Sequence, residues 1–254
     1  MIDLVLLGTG NVATHLFKAF SASKEVNVVQ VYNHSEESLK TFKETTAVTT
    51  SLGELAPADV YLLALKDDAI PEVAEKLENC TALVAHTSGA VEMDMLQKCS
   101  RRGVFYPLQT FSKEKTLDYS EIPFCLEANS SEDLELLKKM AIEISGKAYE
   151  ISSAQRKKIH LSAVFVCNFV NHLYAVGEKI CRENEIPFEI LQPLIKETAA
   201  KIQNVSPAEV QTGPAIRNDR TTITAHLEQL NDPENKKIYE LLTHAIQKFH
   251  GKEL

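Results

Sequence analysis

The sequence predicts an α/β fold: a doubly wound, mostly parallel sheet over residues 1–152, followed by an all-helical part over 153–254. Three observations predict it. Apolar runs recur at Leu4–Leu7, Val26–Tyr32, Val60–Leu65, Ala82–Ala85, Val104–Phe105 and Pro123–Leu126. They lack the polar alternation of a half-exposed sheet, which suits strands covered on both faces. Helical patterns fall between them at Asn11–Phe20, Glu36–Phe42 and Ala69–Leu77, and strands that alternate with helices build parallel sheets. After Ser152 the strand signals stop.

The first run leads straight into Gly8-Thr9-Gly10-Asn11-Val12-Ala13. A Gly-x-Gly-x-x-Ala motif between a buried strand and an amphipathic helix (Val12, Leu16, Phe17, Phe20) reads as a dinucleotide phosphate loop. Gly8 allows the tight turn, Gly10 lets the backbone approach a pyrophosphate, and Ala13 lets the helix pack closely on the strand. The helix start adds free N–H groups and a partial positive charge. Gly8, Thr9, Gly10, Asn11 and Val12 are therefore candidate cofactor residues.

The second run ends in Tyr32-Asn33-His34-Ser35. An NAD site usually places Asp or Glu there to hold the ribose hydroxyls. Here the first acid, Glu36, already falls in the next helical pattern. Its absence from the turn removes a repulsion against a 2′-phosphate, and Asn33, His34 and Ser35 can all donate hydrogen bonds. NADP(H) is the expected cofactor, although no Arg stands at this turn. Leu65 and Lys66 stand at the end of the third of these runs and are expected along the dinucleotide, since ligands of open α/β sheets lie beyond the carboxyl ends of the strands. Asp68 is expected to cap the next helix. The run ending in His86-Thr87-Ser88-Gly89-Ala90 should face the nicotinamide and substrate, where the Ser88 hydroxyl suits a carboxylate or carbonyl. Phe105–Phe111 reads as a loop bringing Tyr106, Gln109 and Thr110 to the same place. Ser130 is an expected N-cap, with a helix running to Ser145, a stop at Gly146 and a last strand at Ala148–Ile151.

The second part opens with a long helical pattern, Ala154 to Asn184, with Leu161, Val164, Phe165, Phe169, Leu173, Val176 and Ile180 among its apolar residues. Lys157, His160, Val164, Asn168 and Asn171 follow at steps of three and four and are expected on one face. A polar stripe on an apolar helix needs partners. An imidazole exchanges protons near neutral pH, so His160 is a candidate proton donor, with Asn168 beside it. Further helix starts are marked by Pro187, Pro207 and Pro233. Asp219 should cap a helix containing His226, and Arg217 is either an anion ligand or half of a surface ion pair. No flexible linker marks Ser152, so the two parts are expected to pack around a cleft.

Composition narrows the partners. The 254 residues carry 35 acids against 27 Lys and Arg, a net charge of -8. That argues against nucleic acid or an anionic membrane as the main partner. No uninterrupted apolar run approaches the ~20 residues of a membrane span, and the N-terminal apolar run is a strand, not a leader. Cys80, Cys99, Cys125, Cys167 and Cys181 are odd in number and never spaced as CxxC. Reduced thiols in the cytoplasm, with no metal site, are expected.

These residues resemble those of a known group. The glycine loop, His86-Thr87-Ser88-Gly89, Pro107-Leu108-Gln109-Thr110-Phe111, His160 with Asn168, and Gly213-Pro214-Ala215-Ile216-Arg217-Asn218-Asp219 followed by His226 resemble small two-domain NADP-oxidoreductase-like proteins. These are relatives of pyrroline-5-carboxylate reductase, the deazaflavin-dependent NADP oxidoreductases and the 6-phosphogluconate dehydrogenase superfamily. The resemblance implies a Rossmann-like domain, a helical domain of poorly defined function and a homodimer formed through the latter. Two features depart from the pattern. Tyr106 stands where the group often has His. The wider superfamily's Lys-x-x-x-Asn pair is absent, since Leu161 follows Lys157 and Ser162 follows Lys158 at that spacing.

The expected function is NADP(H)-dependent oxidoreduction of a small C=O or C=N substrate, or the corresponding alcohol or amine, in an interdomain cleft. His160, Asn168 and Ser88 form the candidate catalytic set. A non-catalytic dinucleotide-binding sensor or regulator is the alternative, favoured by the missing pair.

Overall fold

A computed structural model of the chain describes residues 1–251. Two compact units emerge, one from Met1 to Phe165 and one from Val166 on.

The first unit is built on one eight-stranded sheet, in spatial order β3-β2-β1-β4-β5-β6-β7-β8. The strands are β1 (Ile2–Leu7), β2 (Val26–Tyr32), β3 (Ala47–Thr49), β4 (Val60–Leu63), β5 (Leu83–His86), β6 (Arg102–Pro107), β7 (Phe124–Ala128) and β8 (Ala148–Glu150). Every neighbouring pair is parallel except β6 with β7. Strand side chains alternate between faces. On one face, Leu4, Leu6, Leu62 and Ala85 pack with Leu16 and Phe20 of helix α1 (Asn11–Ser21) and with Leu137 and Met140 of α3 (Ser131–Ile144). On the other, Val5, Leu7, Leu63 and Val84 pack with Ile70, Val73 and Ala74 of α2 (Ile70–Lys76). This two-sided burial is why the strands read as continuous apolar runs. The chain winds one way from β1 to β3 and the other way from β4 onward, so the crevice for a ligand opens between β1 and β4.

Several local expectations change. Glu36–Phe42 forms only a 3₁₀ turn at Glu37–Leu39. The chain must come straight back to lay down β3, where the Thr46 hydroxyl donates to the Val28 carbonyl at 2.8 Å. Asp68 caps nothing, because a 3₁₀ turn at Asp67–Ala69 runs into α2 without a side-chain cap. Tyr106 lies on β6 rather than on a loop. Ser130 does cap α3, accepting from the Asp133 N–H.

The long helical pattern is three segments: α4 (Ser153–Ala163), a π-helical stretch at Val164–Phe169, and α5 (Val170–Glu183). Ser152 and Gln155 form a capping box at its start. The texture changes at Ser152, but the compact first unit extends to Phe165, because α4 is fastened to the sheet. Arg156 is fully buried and donates to Glu127 Oε2 at 2.7 Å, to Ser153 Oγ at 3.1 Å and to the Val91 carbonyl. Lys157 pairs with Glu92.

The second unit holds α5, α6 (Gln192–Lys201), α7 (Arg220–Gln229) and α8 (Pro233–Phe249). Asp219 and Asp232 cap α7 and α8. Pro207 starts only a run of turns, and Pro187 leads into a 3₁₀ turn at Phe188–Leu191. Among its described apolar residues, Cys181 and Ala215 alone are buried. By length and composition Ser153–Glu183 is apolar enough to cross a membrane, with a mean hydropathy of 1.4 over its most apolar window. The sequence reading, which looked for an uninterrupted apolar run, did not register it.

Arg156→Met removes the only cation paired with Glu127 among the described residues and leaves it the Ser153 hydroxyl. Removing one member of a buried ion pair costs about 3 kcal/mol, so the urea midpoint should fall accordingly. An unchanged midpoint would show that α4 is held by other contacts.

Candidate functional site

The crevice starts at Gly8. Its φ of +123° lies in the region that favours glycine, and a Cβ there would overlap the Ala64 carbonyl. The Gly8 N–H donates to the Tyr32 carbonyl at 2.8 Å, which turns the chain off β1 toward α1. α1 begins with Gly10 as an uncapped N-cap and has no acid in its first turn. Its first N–H groups and dipole thus remain available to an anion. A Cβ built on Gly10 meets no protein atom within 4 Å, so the missing side chain leaves space for a ligand.

A cavity of about 490 Å³ lies over this loop. Gly8, Thr9, Gly10, Asn11, Val12, Asn33, His34, Leu65 and Lys66 line it, as the sequence predicts. Ser35 is not part of the lining; Ser38, carried round by the 3₁₀ turn, takes that place. Ala64, Ala69 and Thr87 are lining residues that the sequence reading did not assign. Thr87 had a signal, since it follows the carboxyl end of β5. Ser38 had none, because its position depends on the turn that replaced the expected helix. Among the described residues no carboxylate lines the cavity, and Lys66 is its charged cation. Glu36 turns instead to Lys43 at 2.9 Å, a hydrogen bond that lowers its pKa. An uncapped helix start, an open cradle at Gly10 and a cationic wall fit the phosphates of a dinucleotide.

A second set of groups gathers at the ends of β5 and β6. The Ser88 N–H donates to His86 Nδ1 at 3.2 Å. Ser88 Oγ accepts from the N–H groups of Ala90 at 3.1 Å and Val91 at 3.0 Å. Its oxygen is thus held by the turn, and its own hydrogen is what it can offer a substrate. Gly89 comes next. A Cβ there would lie 2.7 Å from His160 Nδ1 and 2.8 Å from Tyr106 Cζ. The Tyr106 hydroxyl and His160 Nδ1 are 3.2 Å apart, with the rings edge-on at 70°. Burial pushes the Tyr106 phenol up to about 12.

The structure therefore brings Ser88, Gly89, Tyr106 and His160 together within the first unit. Asn168 sits exposed in the π-helical stretch. A π-turn bonds i to i+5, so the helical period breaks there and the expected polar stripe is not one continuous face. Gln109 and Thr110 are exposed and bonded to each other. Among the described residues no group of His, Cys, Asp or Glu is arranged to hold a metal, and all five cysteines are free thiols.

A dinucleotide loop on a doubly wound sheet with an imidazole at its strand ends defines a nicotinamide-dependent oxidoreductase. The chain belongs to the two-domain NADP oxidoreductase family of "putative NADP oxidoreductase BF3122" from Bacteroides fragilis. It is 41% identical to that protein over 97% of this chain and 98% of the other, with a TM-score of 0.89. Residues 3–86 match the family described as coenzyme F420-dependent NADP oxidoreductase, and residues 122–246 match a domain of unknown function, DUF2520. Two distant structures share the fold. An imine reductase from Myxococcus stipitatus in complex with NADP+ is 13% identical, covers 98% of this chain and 96% of its own, and has a TM-score of 0.68. A pyrroline-5-carboxylate reductase from Coxiella burnetii is 17% identical over 99% and 94%, with a TM-score of 0.62. No protein with a curated description matches the chain.

His86 yields a pH prediction. It is fully buried, and burial first, then the Arg156 charge, lowers its pKa from 6.5 to about 4. The folded protein keeps His86 neutral while the unfolded chain takes up a proton below pH 6.5. Stability is therefore lost as pH falls from 6.5 toward 4, by about 3 kcal/mol from this group. Urea titrations at pH 7 and pH 4 should show wild type losing that much more than His86→Asn; equal losses would refute the assignment.

Proposed function

We propose that this oxidoreductase uses NADP(H) to reduce a C=O or C=N group of a small molecule, or to oxidise the corresponding alcohol or amine, with His160 as the proton donor. One observation carries the reading. Thr87 lines the dinucleotide cavity, and two residues on, Gly89 lies against the His160 ring. The cavity over the glycine loop thus leads along the chain to an imidazole. When bound, the nicotinamide supplies the hydride. The hydride adds to the carbon of the C=O or C=N group, His160 delivers a proton to its oxygen or nitrogen, and the Ser88 hydroxyl donates a hydrogen bond to the substrate. Asn33, His34 and Ser38 border the adenosine end, and Lys66 with the absence of a carboxylate favours a 2′-phosphate there.

NADPH should bind about tenfold tighter than NADH, a difference of about 1.4 kcal/mol, read by fluorescence titration. A preference for NADH would overturn the NADP assignment. Gly10→Val fills the cradle and should abolish binding of both. On a panel of small ketones and cyclic imines, His160→Gln should lower kcat by about 10²-fold while dinucleotide affinity is kept. Full activity in that variant would exclude His160 as the acid.

The helical unit is proposed to pair with a second copy of the chain. Val166, Ile190, Leu194, Leu241 and Phe249 are each more than 60% exposed, and the unit buries almost no apolar side chain. A helical unit of this size without its own core needs another surface to cover it. A second copy offers the same faces at equal concentration, in the symmetric pairing that most oligomers use. Light scattering at micromolar concentration should give twice the chain mass. A monomer would refute the pairing, and flotation with lipid vesicles would assign the face to a membrane.

A further inference from the structure

We infer that Tyr106 is a positioning residue that fixes His160 as the tautomer protonated on Nε2, and that Gly89 is glycine to admit the two rings. The inference rests on the reading of His160 as proton donor and adds which nitrogen carries the proton.

The Tyr106 hydroxyl has His160 Nδ1 as its hydrogen-bond partner, at 3.2 Å. Two arrangements fit that distance. If Nδ1 carried the hydrogen, it would donate to the phenol oxygen, and the phenol hydrogen, on a half-buried ring, would have no protein acceptor. If the phenol donates to a bare Nδ1, both groups are satisfied. Leaving a polar hydrogen unpaired costs more than a typical hydrogen bond contributes, so the second arrangement wins. The phenol also stays protonated through the whole neutral range, because burial raises its pKa. A neutral imidazole carries one hydrogen. With Nδ1 bare, it sits on Nε2, the ring nitrogen away from the phenol. Nε2 therefore holds the proton that leaves for the substrate; as it goes, the Tyr106 hydroxyl passes its own proton to the bare Nδ1, so the ring stays neutral and the phenolate is reprotonated from solvent.

Gly89 makes this contact possible. Its φ is not in the left-handed region, so the backbone does not require glycine. A methyl group there would stand 2.7 Å from Nδ1, 2.8 Å from Tyr106 Cζ and 3.0 Å from His160 Cγ. These distances are below van der Waals contact on both sides of the hydrogen bond at once.

Tyr106→Phe keeps the ring and removes the hydroxyl. Long-range ¹H–¹⁵N spectra of uniformly labelled protein, with His160 assigned by its loss in His160→Gln, report which ring nitrogen is protonated. In wild type at pH 8, His160 should show a bare Nδ1 and a protonated Nε2. Tyr106→Phe should turn this into a mixture of tautomers. It should also lower kcat by about tenfold while the dinucleotide Kd stays within about twofold. Gly89→Ala should reproduce the spectral change by displacing the rings. A protonated Nδ1 in wild type, or an unchanged tautomer in Tyr106→Phe, would overturn the inference. Absence of turnover on every carbonyl and imine tried would count against the reductase reading, while the nitrogen spectra would still decide the tautomer.

Discussion

The end of β1 comes so close to the end of β4 that no side chain fits between Gly8 and the Ala64 carbonyl. The rest of the cofactor site depends on this approach. Because the two strands are parallel neighbours and the chain leaves them in opposite directions, their carboxyl ends share one crevice. The turn at Gly8 then brings the start of α1 over that crevice, with Gly10 offering neither a cap nor a side chain. On the other wall, Ala64, Leu65 and Lys66 follow β4 into the same space. One steric limit thus aligns a helix dipole, a row of backbone N–H groups and a lysine on a single cavity.

A second constraint fixes the imidazole. Arg156 and His160 are four residues apart on α4, on the same side of successive turns. Arg156 is bound to Glu127 on β7, to Ser153 and to the Val91 carbonyl, so the helix can neither rotate nor slide without breaking buried charge-assisted bonds. His160 is thereby held against Gly89. The same charge acts on His86, adding to the burial that keeps that ring neutral. A neutral His86 can accept the Ser88 N–H at Nδ1, which sets the turn on which Gly89 sits. The guanidinium therefore works on the Gly89 contact twice: mechanically through α4, and electrostatically through His86.

How much of this was legible in the sequence followed from the range of the interactions involved. β2 appears over the expected Val26–Tyr32, because two-sided burial writes itself into a continuous apolar run. The glycine loop was readable because its chemistry lies within six consecutive residues. β3 was not, since Ala47-Val48-Thr49 is too short to carry a period and is a strand only by pairing with β2. The loss of the expected helix at Glu36–Phe42 moved the lining residue from Ser35 to Ser38. The π-helical stretch has no sequence period of its own, so the stripe drawn through His160 and Asn168 ran on past the point where the helix changes pitch. Tyr106 was placed near the site, but on a loop, because Arg102–Pro107 mixes charged and apolar residues and pairs with β7 across a long connection.

The His-Thr-Ser-Gly segment shows most clearly what a motif's residue types leave open. In sequence, the segment offers a hydroxyl at Ser88 and a glycine turn for a substrate carboxylate or carbonyl. In the fold, Ser88 gives its oxygen to two backbone N–H groups and becomes the anchor of the turn. Gly89 has an ordinary backbone, and its contribution is the volume of an absent methyl group, occupied by the rings of Tyr106 and His160. Gly10 also matters for what it lacks, but the space it leaves is open to a ligand, whereas the space at Gly89 is filled from within the protein. A glycine at a strand end can thus leave room for a ligand, turn the backbone or admit a hydrogen-bonded pair of rings, and only the atoms that meet its missing Cβ distinguish the three.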